Sequence, residues 1–406
     1  MNIKLALFTS QFPSKVSTFF ARDLYSLISN GFEVDVFPVY PVSNQYWENV
    51  PECLREKIIE KSCIKFITPL HFSWKNLNSE VSQSIRTILK QSISIGPSQF
   101  LKSLSVIQQA ILWANSLDGK YDYMLSYWGN YAGTYAFIAN KLIKNKIPFS
   151  FFLHAGTDLY RDRIFLEQKI SHAKKVFTVC EFNRDYLQKT YPKTFESFEK
   201  KIVIHHLGID TNDITYNILE RESNTLLSIG TFYPPKGFSS VIQAISLLGP
   251  ECNIKLILIG DGPERRNLMR LVRVLGIEDR VEFTGWLPFD EVKKYLAKCT
   301  ILVHPSCDLG DAVPTVIKEA MASGLPVIGA NIAGIPELLD HGAAGILFPP
   351  KDYIALAEAI RKLLNEDELR MSLAKRGRSF AEQKFDMWRN GHLLSLQLST
   401  DLFHHI

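Results

Sequence analysis

Short apolar runs alternate with amphipathic segments along this chain, and the alternation limits its fold more than any other feature. Each apolar run has the length of a buried strand, and each amphipathic segment has the length of a surface helix. This pattern predicts parallel sheets with helices on both faces, and ligands of such sheets collect at the carboxyl ends of the strands. The clearest strands and helices are expected at residues 3–10, 17–30, 32–37, 225–230, 237–248 and 254–260.

Two sheets are expected, because a polar and weakly periodic stretch interrupts the alternation near the middle of the chain. At 406 residues the chain is also longer than one hydrophobic core usually organises. We predict four parts: an N-terminal domain at residues 1–210, a linker at 211–224, a C-terminal domain at 225–385 and a terminal helix at 386–406.

The composition, with 46% hydrophobic and 22% charged residues, predicts a soluble globular protein. The apolar runs are shorter than a membrane-spanning helix requires, and the start of the chain is too short for a signal peptide, so we expect a cytoplasmic protein. The six cysteines form no Cys-x-x-Cys pair and no zinc-like grouping with histidine. This spacing predicts reduced structural thiols and no metal site.

Positive charge is concentrated in the first half of the chain. Residues 1–210 hold 25 Lys and Arg against 18 Asp and Glu, whereas the whole chain has a net charge of only +4. Seven lysines of this half would attract anionic lipid headgroups, or they would form an ordinary solvated face. Nucleic-acid binding is disfavoured because no recognition module accompanies the charge. The seven are Lys141, Lys144, Lys146, Lys174, Lys175, Lys200 and Lys201.

Residues 80–117 have helical periodicity and one apolar stripe. A stripe of this kind is expected to face the core, and a helix lying on a membrane is the alternative. The stripe consists of Ile85, Ile88, Leu89, Leu101, Leu104, Ile107, Ile111 and Leu112.

Two acids flank a predicted helix start in the second half of the chain. Asp311 lies in a loop before Pro314, which suits the first turn of a helix, and Glu319 would face inward from that helix. The N-terminus of a helix attracts anions, so acids on either side of it suit a ligand with hydroxyls on both sides of a phosphate. A nucleotide sugar is such a ligand. For Asp311, capping of the helix is a second interpretation.

The run from Pro314 to Val327, followed by Gly-Ile-Pro-Glu at 334–337, closely resembles glycosyltransferase family 4. The resemblance is nearly continuous from residue 222 to 365. Asp311 replaces the first Glu of the family's Glu-x7-Glu hallmark, and Ala312 replaces the glycine that usually follows. The resemblance implies a GT-B fold, in which two doubly wound Rossmann-like domains face each other across a cleft. It also implies that the terminal helix returns to the first domain.

The same resemblance implies the roles of residues in the donor site. Lys236 would bind the phosphates as a catalytic cation, Glu319 would accept hydrogen bonds from the ribose, and Asp311 would accept them from the transferred sugar as a catalytic residue. Thr231 stands where the family has an arginine, so Arg161, Arg163 or backbone amides would compensate. The full set of predicted donor-binding residues is Gly230, Thr231, Lys236, Trp286, Asp311, Val313, Pro314, Thr315 and Glu319. Trp286 would border the base pocket or pack in the core.

The first half resembles bacterial exopolysaccharide transferases more weakly. The segment with Phe12, Pro13, Ser17 and Thr18 resembles their acceptor-binding opening, in which Val16 and Ser17 replace a Ser-Glu pair, and these four residues would contact the acceptor. His154 follows an apolar run and should emerge at the carboxyl end of a strand. By resemblance it would approach the donor sugar and the acceptor as a catalytic residue. A buried histidine satisfied by its neighbours is the alternative.

The resemblance therefore implies a retaining, nucleotide-sugar-dependent hexosyltransferase that needs no metal or other cofactor. A UDP- or GDP-linked donor would transfer its sugar to a hydroxyl of a glycan or lipid-linked acceptor during cell-surface polysaccharide synthesis. Association with the inner face of the cell membrane is a further expectation. The alternative is a non-catalytic GT-B-like binding or scaffold protein, because Thr231, Asp311 and Ala312 depart from the family together. A phosphorylase is a weaker third choice.

Overall fold

The structure is a computed structural model, and it describes residues 3–14, 18–41, 43–68, 77–156 and 158–403. The chain folds into two compact units. The first unit comprises residues 1–208 and 388–406, and the second unit comprises Ile209–Met387.

The first unit contains a seven-stranded sheet in which all paired strands are parallel. The strand order is β3-β2-β1-β4-β5-β6-β7, so the direction of strand addition reverses between β1 and β4. The strands are β1 (Ile3–Thr9), β2 (Phe32–Pro38), β3 (Ser62–Ile64), β4 (Tyr123–Ser126), β5 (Phe149–Leu153), β6 (Lys175–Thr178) and β7 (Ile202–Ile204).

Among the described residues of the first unit, eight helices precede or connect these strands. They are α1 (Thr18–Ser29), α2 (Glu52–Lys61), α3 (Ser79–Ile95), α4 (Pro97–Leu117), α5 (Tyr131–Leu142), α6 (Leu166–His172), α7 (Glu181–Thr190) and α8 (Phe195–Phe198). The predicted helical segment 80–117 is two helices, because Gly96 and Pro97 interrupt it. Gly96 caps the end of α3, and Pro97 begins α4, where its missing N–H group costs nothing.

The second unit repeats the same topology with a six-stranded parallel sheet in the order β10-β9-β8-β11-β12-β13. Its strands are β8 (Thr225–Ile229), β9 (Lys255–Ile259), β10 (Val281–Gly285), β11 (Ile301–His304), β12 (Val327–Ala330) and β13 (Ile346–Phe348). Its helices are α9 (Phe238–Leu247), α10 (Arg265–Val274), α11 (Phe289–Lys298), α12 (Thr315–Ala322), α13 (Ile335–Leu338), α14 (Tyr353–Asn365) and α15 (Asp367–Lys384).

The central strands are mostly apolar because helices cover both of their faces. In the first unit, Leu7 pairs with Val36 on one side and with Leu125 on the other. In the second unit, Leu227 pairs in the same way with Ile257 and Leu302. All six side chains are buried.

The last helix, α16 (Met387–Phe403), packs within the first unit. Asp401 on this helix accepts a hydrogen bond from the hydroxyl of Tyr123 at 2.7 Å and pairs with Lys175 at 3.0 Å. Residues 211–224, the predicted linker, belong to the second unit. Arg221 in this segment donates to the carbonyls of Leu296, Cys299 and Ser323. Within the described part of the chain, every helix is too short or too polar to span a membrane.

Candidate functional site

The strand order of the second unit reverses between β8 and β11, which is where open α/β sheets bind their ligands. Lys236 follows β8 and Asp311 follows β11, so the reversal brings their side chains together. Lys236 Nζ lies 2.6 Å from Asp311 Oδ1. The residues predicted to bind the donor phosphates and the transferred sugar therefore form one ion pair.

Gly237 allows the backbone to approach closely enough for this pair. Its φ of 67° lies in the left-handed region, and a Cβ at this position would come within 2.0 Å of the carbonyl oxygen of Pro305. Only glycine fits that geometry without displacing the backbone. The turn thereby holds Lys236 against the segment that follows β11.

Two buried side chains hold the other oxygen of the Asp311 carboxylate. His304, the last residue of β11, has its Nε2 atom 2.8 Å from Asp311 Oδ2. The hydroxyl of Ser306 donates to the same oxygen at 2.5 Å. Burial alone would raise the pKa of Asp311, but the charge of Lys236 and the interactions with His304 outweigh it and lower the pKa well below its ordinary value. Asp311 is therefore ionised.

This arrangement leaves Asp311 one further acceptor position. A carboxylate has about four lone-pair sites, and Lys236, His304 and Ser306 use three of them. Asp311 does not cap the following helix. Pro314 occupies the N-cap position of α12 instead.

The remaining predicted donor-site residues lie on the same edge of the second sheet or in α12. Thr315 is the first residue of α12, directly after Val313 and Pro314, and Glu319 is buried in its second turn. Gly230 and Thr231 follow β8, and Trp286 follows β10 and is exposed.

His154 emerges at the carboxyl end of β5, as its sequence position predicts, and it is buried. Its Nε2 atom lies 2.8 Å from the carbonyl oxygen of Tyr127, so Nε2 carries a proton. Four aromatic rings surround the imidazole with centroid separations of 4.6 to 5.7 Å, those of Phe19, Tyr127, Trp128 and Phe152. Aromatic packing and the hydrogen bond to Tyr127 hold the ring in place, and the buried-histidine interpretation requires the same contacts.

Asn183 positions the backbone of His154 and was not singled out from the sequence. Its Nδ2 atom donates to the carbonyl of His154 at 2.5 Å and to that of Leu153 at 3.3 Å. The hydroxyl of Tyr160 donates to Asn183 Oδ1, which fixes the orientation of the amide. These contacts fix the backbone at the carboxyl end of β5, which His154 directly follows.

The predicted acceptor residues have different surroundings. Phe12 is fully buried, with its ring 4.7 Å from that of Phe20 and 5.4 Å from that of Trp47. An acceptor contact at Phe12 can therefore involve only its backbone. Pro13 is also buried, whereas Thr18 begins α1 and is half-buried. Ser17 lies outside the described residues.

A small pocket, open to solvent, lies beside the start of α5 in the first unit. Tyr131, Asp162 and Arg163 line it together with the buried residues Asp158 and Lys169. Asp158 Oδ2 and the hydroxyl of Tyr131 are buried without a hydrogen-bond partner among the described residues. Carboxylate, phenol and guanidinium groups of this kind bind polyhydroxylated ligands well.

Burial changes the charge of two groups in this pocket. It lowers the pKa of Lys169 to about 7 and raises the pKa of Asp158 to about 7. The ammonium of Lys169 donates to the carbonyl of Gly129 at 2.5 Å and to the hydroxyl of Thr134 at 3.3 Å. The side chain of Lys169 therefore ties α6 to the loop that follows β4.

Sequence reasoning missed the residues that hold the predicted ones in place. His304 could have been found, because it ends an apolar run in the same way as His154 does, and Ser306 lies two residues beyond it. Lys169 carries no comparable signal, because a lysine on a helix is usually solvated. No group of three or more His, Cys, Asp or Glu side chains among the described residues is arranged to hold a metal ion.

Comparison with known proteins identifies most of the second unit. Residues 212–380 match the protein family described as "Glycosyl transferases group 1". This part of the chain is therefore a glycosyltransferase group 1 domain, and it contains Lys236, His304, Ser306, Asp311 and Glu319.

Two relatives match different lengths of the chain. The N-acetyl-alpha-D-glucosaminyl L-malate synthase of Bacillus anthracis is 36% identical over 170 residues, which are 42% of this chain and 43% of that protein. The amylovoran biosynthesis glycosyltransferase AmsK of Erwinia amylovora is 26% identical over 419 aligned residues, covering 98% of each chain.

The crystal structure of Anabaena HepE in complex with UDP has a similar fold, with a TM-score of 0.69 and 18% sequence identity. The likeness covers 98% of this chain and 100% of that chain. The predicted fold class of two parallel-sheet Rossmann-like domains, as in GT-B glycosyltransferases, is confirmed. A non-catalytic scaffold is not favoured, because the relatives are named as a synthase and a glycosyltransferase.

Proposed function

Because residues 212–380 form a glycosyltransferase group 1 domain, we propose that this chain is a retaining hexosyltransferase that uses a nucleotide sugar. The donor is UDP- or GDP-linked, and the acceptor is a hydroxyl of a glycan or of a lipid-linked glycan. The match of AmsK to 98% of the chain supports a role in cell-surface polysaccharide synthesis, as does the resemblance to exopolysaccharide transferases.

In the proposed reaction, the bond between the anomeric carbon and the donor phosphate breaks, and a bond to the acceptor oxygen forms on the same face of the sugar. The acceptor proton passes to the departing phosphate. Negative charge grows on the leaving nucleoside diphosphate, so fixed positive groups beside it lower the barrier. No metal ion is required, because Lys236 and the N–H groups at the start of α12 supply that charge.

Lys236 binds the diphosphate without losing its partner. An ammonium group has three hydrogen atoms to donate, and Asp311 uses one of them. The carboxylate holds the ammonium group in place at the strand reversal, so the lysine side chain needs to move little when the phosphate binds. Glu319 then accepts hydrogen bonds from the ribose hydroxyls.

Asp311 serves the transferred sugar as well as Lys236. Its remaining acceptor position takes a hydroxyl of the sugar, while His304 and Ser306 keep the carboxylate oriented. A negative group beside the sugar also stabilises the positive charge that the ring gains in the transition state.

The first unit binds the acceptor. The pocket lined by Tyr131, Asp158 and Arg163 provides acceptors and donors for glycan hydroxyls. His154, held by Tyr127 and Asn183, is proposed to contact the reacting sugar. The unit also associates with an anionic membrane surface on the cytoplasmic side, where a lipid-linked acceptor would be found.

The observation that carries the proposal is the Lys236–Asp311 pair at the strand reversal of a glycosyltransferase group 1 domain. A thermal-shift panel of UDP-, GDP-, ADP- and CMP-linked sugars tests it. A ligand at 100 times its dissociation constant adds about 2.7 kcal/mol to the stability of the folded state. We expect a UDP or GDP sugar to raise the melting temperature. No shift with any member, at concentrations up to several millimolar, would contradict the proposal.

A further inference from the structure

We propose that the tip of the α3–α4 hairpin, residues 90–102, docks on an anionic lipid surface. The inference deepens the membrane association proposed above and rests on it, because it assigns that association to one element. Helices α3 and α4 are joined by the single residue Gly96, so residues close to it on both sides form the tip.

The tip exposes large apolar side chains within about one helical turn of Gly96. Ile93 is 59% exposed, Ile95 is 43% exposed and Leu101 is 64% exposed. The remainder of α3 is amphipathic in the ordinary way, since Val81, Ile85 and Ile88 are buried in the core. Leu101 was expected to belong to the buried stripe, and it does not. Single exposed apolar residues are normal, whereas several close together along the chain mark a candidate interaction site.

The charge of the hairpin fits an anionic partner. No Asp or Glu occurs between Glu80 and Asp118, although the composition of 42 acids in 406 residues would place about four in a stretch of that length. Arg86, Lys90 and Lys102 occur there and are exposed. Each cation near an anionic leaflet contributes about 1 kcal/mol to binding. Apolar side chains flanked by cations, without acids, are complementary to anionic headgroups above an acyl region.

The seven lysines that the sequence suggested as lipid contacts are less available for binding headgroups than the cations of the hairpin are. Four of the seven make contacts within the protein. Lys141 pairs with Glu80 at 2.5 Å, Lys146 donates to three backbone carbonyls, Lys175 pairs with Asp401 at 3.0 Å, and Lys201 donates to the carbonyl of Ser171 at 2.6 Å. Burial and the nearby charge of Lys174 also lower the pKa of Lys201. The hairpin tip is therefore the better candidate.

The tip is joined to the rim of the pocket in the first unit. Gln91 Oε1 accepts a hydrogen bond from the backbone N–H of Phe165 at 2.7 Å, next to the pocket residues Arg163 and Ile164. Lys102 Nζ lies 5.8 Å from the ring centroid of Tyr131, which lines the same pocket. Docking of the tip would therefore hold the pocket close to the lipid surface, where a lipid-linked glycan is presented.

Co-sedimentation of the full chain with vesicles tests this proposal. Vesicles of phosphatidylglycerol and phosphatidylcholine should bind the wild-type protein, and vesicles of phosphatidylcholine alone should bind it at least ten-fold less. The double variant Ile93→Asp/Leu101→Asp should lose ten-fold or more of its binding to the anionic vesicles. The matched control is Ile59→Asp, because Ile59 is 54% exposed on α2 of the same unit, beside Glu56 and Glu60. It should bind within two-fold of wild type.

Melting temperature and donor hydrolysis, measured on the same variants, separate docking from folding and from catalysis. Both should stay near wild type in the double variant. Undiminished vesicle binding of that variant would overturn the proposal. Equal binding of the wild type to both kinds of vesicle would also overturn it. So would a loss of vesicle binding in Leu396→Asp but not in the double variant, because Leu396 is an exposed apolar residue on a different helix, α16. Absence of hydrolysis in the wild type would count against the proposed function and leave the vesicle result intact.

Discussion

Each of the two sheets carries a lysine and an aspartate near its carboxyl edge, and the two sets differ in exposure. In the second unit, Lys236 and Asp311 form a close ion pair, and the lysine side chain is 25% exposed. In the first unit, Lys169 and Asp158 are almost completely buried. The same two residue types therefore lie near the carboxyl edges of two similar sheets in different surroundings.

Burial determines which charge state each set adopts. The pKa of Asp311 is lowered because Lys236 and His304 outweigh desolvation, so this carboxylate stays ionised. The pKa values of Lys169 and Asp158 move toward each other because desolvation dominates. A partly exposed pair remains charged and can bind a charged ligand. A buried set holds elements of the fold together and responds to pH near neutrality.

The largest effect on stability is expected from Lys169→Met. Removing this side chain leaves the carbonyl of Gly129 and the hydroxyl of Thr134 without their buried donor. Loss of one partner from a buried charged set costs about 3–5 kcal/mol. Chemical denaturation at pH 7 should show this drop in the free energy of unfolding. Lys141→Met, which breaks the pair with the exposed Glu80, is the control and should cost much less. If both variants lost the same free energy of unfolding, the special role of the buried lysine would be contradicted.

A smaller effect, on activity rather than folding, is expected from Asp311→Asn. The substitution keeps the size of the side chain but removes the charge that Lys236 requires. Loss of a charge-assisted hydrogen bond costs about 1.5–3 kcal/mol, so sugar transfer should fall ten-fold or more.

The companion variant Asp311→Glu restores the side-chain length that the family hallmark has, and it should retain transfer or change the preferred donor sugar. Initial rates with a fixed donor and acceptor provide the comparison. If transfer is unchanged in both variants, the role proposed for Asp311 is wrong.

A pH dependence of stability also distinguishes the two sets. Burial lowers the pKa of Lys169 to about 7 from an ordinary 10.5. The unfolded chain therefore binds the extra proton between those values, and the free energy of unfolding rises with pH across that window by up to about 1.4 kcal/mol per unit. Lys169→Met should lack this rise.

For Asp311 the free energy of unfolding also rises with pH, but the window lies lower. Its folded pKa is depressed, so the stability it contributes is fully present above about pH 4 and is lost only as the solution becomes more acidic. The difference between wild type and Asp311→Asn should stay constant from pH 6 to 9. Denaturation curves at one-unit intervals measure both trends, and parallel profiles for all three proteins would contradict the account.

The two sheets were predictable because buried parallel strands are continuous apolar runs. The run expected at residues 254–260 corresponds to β9, and that expected at 225–230 corresponds to β8. The three-residue strand β13 was not predicted, because so short a run has no detectable period. Gly96 and Pro97 indicate that the segment 80–117 divides into two helices. The apolar stripe continues across them, however, so periodicity alone predicts one helical segment.

The candidate site was predictable only in part. Family resemblance identified Lys236 and Asp311. His154 was identified because it follows an apolar run and so should lie at the carboxyl end of a strand. Their mutual distances depend on the order of strands in the sheet, which no local pattern contains. Lys169 could not have been predicted, because its burial results from packing between α6 and the loop after β4.

The most direct test of the central claim is release of nucleoside diphosphate from a nucleotide sugar by wild type, Lys236→Ala and Lys255→Ala. Lys255 forms a comparable pair with Glu282 at 2.7 Å, at the amino end of β9 and away from the strand reversal. Removing a preorganised donor to the leaving group costs about 2–4 kcal/mol, so Lys236→Ala should lower kcat/KM by about 30- to 1000-fold. Lys255→Ala should stay within two-fold of wild type. Wild-type turnover by Lys236→Ala would contradict the claim.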